Sequence, residues 1–156
     1  MSLSKIIIAF LLLLVVFAGV IFYQFSQGAA PAGKATVKEH TFNVFLALTP
    51  EEQQKGLSGR NGLGKDQGML FIFDKPGDLT FWMKDMKFPI DIIFINGNRI
   101  VSIAENAPAP KSPEETLPLY RATGPADKVL EINAGLAKEY DLKPGDTLTF
   151  ELPKEK

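Results

Sequence analysis

The stretch from Gly68 to Asn96, GMLFIFDKPGDLTFWMKDMKFPIDIIFIN, constrains the fold more than any other part of the chain. It holds two short apolar runs, Met69–Phe73 and Leu79–Met83, and a longer run that opens at Pro89 and is broken only by Asp91. Apolar runs of this length between turn residues suit strands better than helices. Asp74-Lys75-Pro76-Gly77-Asp78 predicts a turn between the first two runs, and Asn96-Gly97-Asn98 predicts a hairpin turn into RIVSIAEN. Sheet neighbours would then be sequence neighbours, which implies antiparallel pairing.

The flanking segments continue the pattern. Between Val37 and Leu48, Phe42, Val44, Leu46 and Leu48 share one face, as in a half-buried strand, with His40 on the same face. Thr49-Pro50-Glu51-Glu52 predicts a helix start, with Thr49 as cap, Pro50 at the first helical position and Glu52 completing a capping box. That helix must be short, because Gly56, Gly59, Gly62 and Gly64 follow. The proline-rich segment from Ala107 to Pro118 predicts a loop. Lys128–Ile132 and Thr147–Leu152 predict further strands, and Ala134–Tyr140 a second helix. The fold class is mainly β (α+β): an antiparallel meander of about six or seven strands, curled into a small barrel or sandwich with two short helices.

Ahead of this domain lies Ile6–Tyr23, eighteen residues without a charge. As a helix it would span about 27 Å, close to the roughly 30 Å hydrocarbon core of a bilayer. It predicts a single-pass transmembrane anchor with the C-terminal domain outside the cytoplasm. The alternative is a cleaved signal peptide and a periplasmic or secreted domain, with Ala30-Pro31-Ala32 resembling a cleavage site. The division is residues 1–25 as anchor or signal, 26–35 as a flexible tether rich in small residues, and 36–153 as a single domain, expected to be monomeric.

Seventeen basic and eighteen acidic residues nearly cancel, so nothing points to nucleic acid as a partner. The absence of cysteine excludes thiol catalysis, thiolate metal sites and disulfides, and a single histidine leaves no basis for an imidazole zinc site. No cofactor is expected.

The pieces Gly56-Leu57-Ser58-Gly59-Arg60, Gly68-Met69-Leu70-Phe71, Phe81-Trp82-Met83-Lys84 and Pro89-Ile90-Asp91 resemble a prokaryotic family of small, often exported domains, domain of unknown function 192. Val129-Leu130-Glu131, Ala134-Gly135 and Pro144-Gly145-Asp146 extend the likeness across the domain. Ser58 stands where the family usually has methionine, and Asp85 where asparagine is common. The resemblance implies a compact β-rich domain and assigns no reaction.

Asp91, set in an apolar strand, needs partners for its charge. Arg60 is the expected mate, clamping the glycine loop to the sheet through its planar fork. Trp82 and Lys84 share a strand face. Arg60, Trp82, Lys84, Asp85 and Asp91 form the candidate binding pocket, suited to a small polar or sugar-like ligand or to an envelope protein. The favoured reading is a non-enzymatic, membrane-tethered binding or assembly module. The alternative is a hydrolase or sugar-processing enzyme pairing Asp91 with Asp85 or Glu131 as acid and base.

Overall fold

The computed structural model describes Phe10 and residues 12–17, 31–112 and 114–153. The strands are β1 (Gly33–Val37), β2 (His40–Ala47), β3 (Gln67–Gly77), β4 (Thr80–Phe81), β5 (Ile90–Asn96), β6 (Arg99–Ala107), β7 (Tyr120–Arg121), β8 (Ala126–Asn133) and β9 (Leu148–Glu151). Two short helices, α1 (Pro50–Lys55) and α2 (Leu136–Glu139), complete the domain. The expected anchor falls largely outside the described residues. Among the described residues no helix is long and apolar enough to cross a membrane.

Seven strands form one sheet in the order β6-β5-β8-β3-β2-β1-β9, and β4 pairs with β7 in a separate ribbon. The expected meander is corrected in three places. Strand β2 runs parallel to β3, which the intervening helix α1 permits. Strand β8 inserts between β3 and β5, so the run that follows the Asp74–Asp78 turn supplies the ribbon instead of the next sheet strand. The alternation expected from Val37 to Leu48 is broken by a hairpin turn at Lys38-Glu39, which leaves Val37 at the end of β1, and β1 takes in Gly33–Ala35 from the segment expected to be tether.

The two outer strands of the sheet meet. Arg99 bridges Thr147, Gly145 N donates to Ile100 O at 2.8 Å, and Leu148 N donates to Asn98 O at 2.7 Å. The sheet is therefore curled into a half-barrel. One apolar cluster draws Val37, Val44, Leu70, Ile93, Ile100, Leu130 and Leu148 from every sheet strand, together with Leu136 and Ala137 of α2. Only the concave side can collect residues from both outer strands. The convex side carries Phe45, Met69, Phe71, Ile92, Phe94 and Val129, covered by Leu57, Met83 and Met86 from the loops.

Strict alternation along β5 assigns each residue to a side. Ile90, Ile92 and Phe94 belong to the convex cluster, Ile93 and Ile95 to the concave one. Gly68 faces inward opposite Ile132, and a Cβ there would lie 2.7 Å from the Glu131 carbonyl oxygen. Close backbone approach, rather than a turn, explains this glycine.

Candidate functional site

The capping box forms as the sequence implies. Thr49 Oγ1 accepts from Glu52 N at 3.3 Å, and Glu52 Oε2 accepts from Thr49 N at 3.0 Å. The backbone amides of Thr49 and Leu48, both donating to the Glu52 carboxylate, lower its pKa. Helix α1 ends at Gly56, whose φ of 50° reverses the chain. The loop that follows is zipped to residues 84–87. Ser58 Oγ donates to Lys84 O at 2.8 Å, Gly59 N to Asp85 O at 3.0 Å, and Lys87 Nζ to Asn61 Oδ1 at 3.0 Å. Leu57, Met83 and Met86 pin both segments to the convex core. Asp85 sits at φ 58°, a left-handed conformation that asparagine and aspartate tolerate better than most side chains.

Between these segments lies an open cleft of about 250 Å³ lined by Gln54, Lys55, Ser58, Trp82, Lys84 and Asp85. Phe81 turns inward, making edge contacts with Phe71 at 5.0 Å and Phe94 at 5.9 Å. Trp82, the first residue after β4, turns outward and is 51 % exposed. Lys84 Nζ stands 5.6 Å from its ring centroid, within the reach of a cation–π attraction. The cleft thus combines an indole, two ammonium groups, one carboxylate, a hydroxyl and an amide.

Asp91 and Arg60 do not line this cleft. Asp91 is fully buried on the concave side, where its Oδ1 accepts from Asn106 N at 2.7 Å and its Oδ2 from Ala137 N at 2.8 Å. Asn106, at φ 53°, lies where the β5–β6 register shifts, so its amide falls outside the regular ladder. Ala137 belongs to the first turn of α2, whose amides have no partner within the helix. Arg60 lies on the convex side, with its guanidinium carbon 3.7 Å from the Phe45 ring centroid. The sheet separates the two residues, and the expected clamp does not form. Charge-assisted bonds from backbone amides hold the carboxylate instead.

The carboxylate pairs built on Asp91 are not made either. Glu131 lies between Met69 and Ile92 on the convex face, whereas Asp91 lies opposite Ile132 on the concave one. Asp85 is in the convex-side cleft, so it too is separated from Asp91 by the sheet. Glu131 is 5 % exposed, and its Oε2 has no hydrogen-bond partner among the described residues. Burial pushes its carboxyl up to about 8. His40 stacks on Tyr140, with ring centroids 3.7 Å apart.

The sequence reading named Trp82, Lys84 and Asp85, which the fold brings together, and passed over Gln54, Lys55 and Ser58. The usable signal for those three was the pair Gly56 and Gly59, which turns the end of α1 back toward the residues after Trp82.

The fold and cleft define a class: a small half-barrel domain with an exposed indole in a polar surface recess. Residues 33–150 match domain of unknown function 192, described as "Uncharacterized ACR, COG1430", and the chain belongs to that family. No curated protein matches it. The chain is similar to a protein of unknown function from Novosphingobium aromaticivorans, at 39 % identity over 80 % of this chain and 95 % of that one, with a TM-score of 0.68. It is also similar to a Sinorhizobium meliloti protein described as "a putative transcription regulator", at 32 % identity over 78 % and 96 % of the two chains, with a TM-score of 0.69.

Proposed function

We propose that this domain is a non-enzymatic binding module, held at a membrane by Ile6–Tyr23 on the outer side of the cytoplasm, whose cleft takes a small polar or sugar-like ligand. The observation that carries the reading is Trp82, a half-exposed indole bordered by Lys84, Asp85 and Ser58. Exposing so large an apolar surface forgoes the stabilisation of burying it, about 25 cal/mol per Å², and a flat ligand would recover part of it. The surrounding ammonium, carboxylate, amide and hydroxyl groups supply both donors and acceptors for a polyhydroxylated rim. The N-terminal placement rests on the uncharged run itself.

Because Trp82 is the sole tryptophan, emission excited beyond the absorption band of the three tyrosines reports on this cleft. Titration with a set of neutral, amino and acidic saccharides is expected to give a saturable emission change with at least one, lost in Lys84→Ala. A flat response to the whole set would overturn the reading.

A further inference from the structure

The concave apolar stripe does not stop where the half-barrel stops. Along β2, Phe42 and Val44 are buried and Leu46 is partly buried, and Leu48, just past its end, is 49 % exposed. Along β9, Leu148 is buried and Phe150 is partly buried, and Leu152, just past its end, is 47 % exposed. Strands β1 and β9 pair Lys34 with Glu151, so the register continued by one residue sets Leu152 opposite Gly33. Gly33 in turn pairs with Val44, two residues before Leu46. Both leucine stripes therefore emerge at one mouth of the half-barrel, beside the point where the chain enters the domain. The other end is closed by α2, tied to Asp91 through Ala137, and by the Tyr140 ring on His40.

An apolar rim at this mouth has a nearby occupant in the sequence. Only residues 24–32 separate Gly33 from the uncharged run Ile6–Tyr23, a stretch that reaches about 30 Å when fully extended. Its described part, Phe10 and residues 12–17, is helical and exposed, so nothing in the domain covers it. If that run sits in a bilayer, the rim is held within a short distance of the lipid surface.

We infer that the domain docks on the membrane through this mouth, with Leu48 and Leu152 inserted into the lipid interface. This rests on the membrane placement proposed above and adds an orientation to it. Docking would turn the α2 end away from the bilayer. Lys34 and Glu151 lie on the strand faces opposite the leucines, and Lys128, whose ammonium stands 5.7 Å from the Phe150 ring, is held by Gly97 O and Asp127 Oδ2, so none of these charges needs to enter the lipid with the leucines.

The chain has no cysteine, so a single introduced thiol gives a clean label in the full-length protein. Leu48→Cys, Leu152→Cys and, at the far end, Lys138→Cys would each carry an environment-sensitive fluorophore. Each protein would be reconstituted into vesicles of phosphatidylethanolamine and phosphatidylglycerol containing headgroup-spin-labelled lipid. The expected result is loss of emission at positions 48 and 152 and none at 138. Equal emission at all three, in protein that sediments with the vesicles, would overturn the docking while leaving the tether intact. Protein that fails to sediment with vesicles would overturn the tether and the docking together.

Discussion

Glu131 makes stability depend on pH in a direction opposite to that of most carboxylates. Its side chain is buried between Met69 and Ile92, and burial raises its pKa from 4.5 to about 8. Below pH 4.5 the carboxyl is neutral in both folded and unfolded chains and contributes no penalty. Above it the unfolded chain releases the proton while the folded chain keeps it, so stability falls as pH rises. The slope is about 1.4 kcal/mol per pH unit, the loss reaches about 3 kcal/mol at pH 7, and it levels off near 5 kcal/mol above pH 8. Glu131→Gln keeps the shape and cannot ionise. Its amide hydrogens lack partners, which costs about 1 kcal/mol, so the variant should gain about 2 kcal/mol at pH 7 and lose about 1 kcal/mol near pH 4.5. Urea unfolding followed by circular dichroism at pH 5, 6, 7 and 8 would measure this on a chain beginning at Pro31. Such a chain retains every strand of both sheets and the whole of residues 33–150, the span that matches the family. A substituted protein whose stability falls with pH as steeply as the parent would refute the reasoning.

Three further outcomes follow from the packing. Asp91→Asn replaces one acceptor oxygen with an amide that faces a backbone N–H, and should lower stability by about 2–4 kcal/mol in thermal melts. An unchanged melting temperature would mean that the two amide bonds contribute little. Gly68→Ala places a methyl 2.7 Å from a backbone oxygen that cannot move without breaking the β3–β8 ladder; a loss of at least about 2 kcal/mol is expected in urea midpoints. Thr49→Ala removes one half of the capping box and should cost about 1 kcal/mol by the same measurement.

Local features were legible because they are written in adjacent residues. The capping box, the Asn96-Gly97-Asn98 hairpin and the alternation of β2 and β9 all depend on spacing alone. The parallel β2–β3 pair and the insertion of β8 were not legible, since strand order depends on contacts between distant segments whose apolar patterns are interchangeable. Asp91 illustrates a second limit. Its burial could be read from Ile90, Ile92 and Ile93, but its partners are backbone amides freed by a register shift and a helix end, and those leave no side-chain signature. Arg60, the cation that the sequence offers as a partner, lies on the other face of the sheet. Trp82 and Lys84 were legible as neighbours from their spacing of two, although β4 ends at Phe81 and the pair lies in the loop and turn that follow it rather than on a strand face.

The most direct test of the binding account is an amide-resolved NMR titration of the Pro31 chain with the saccharide giving the largest fluorescence response. The account expects shifts concentrated at Gln54, Lys55, Ser58, Trp82, Lys84 and Asp85. Shifts centred on Asp91 and Ala137, or spread without focus over the sheet, would contradict it.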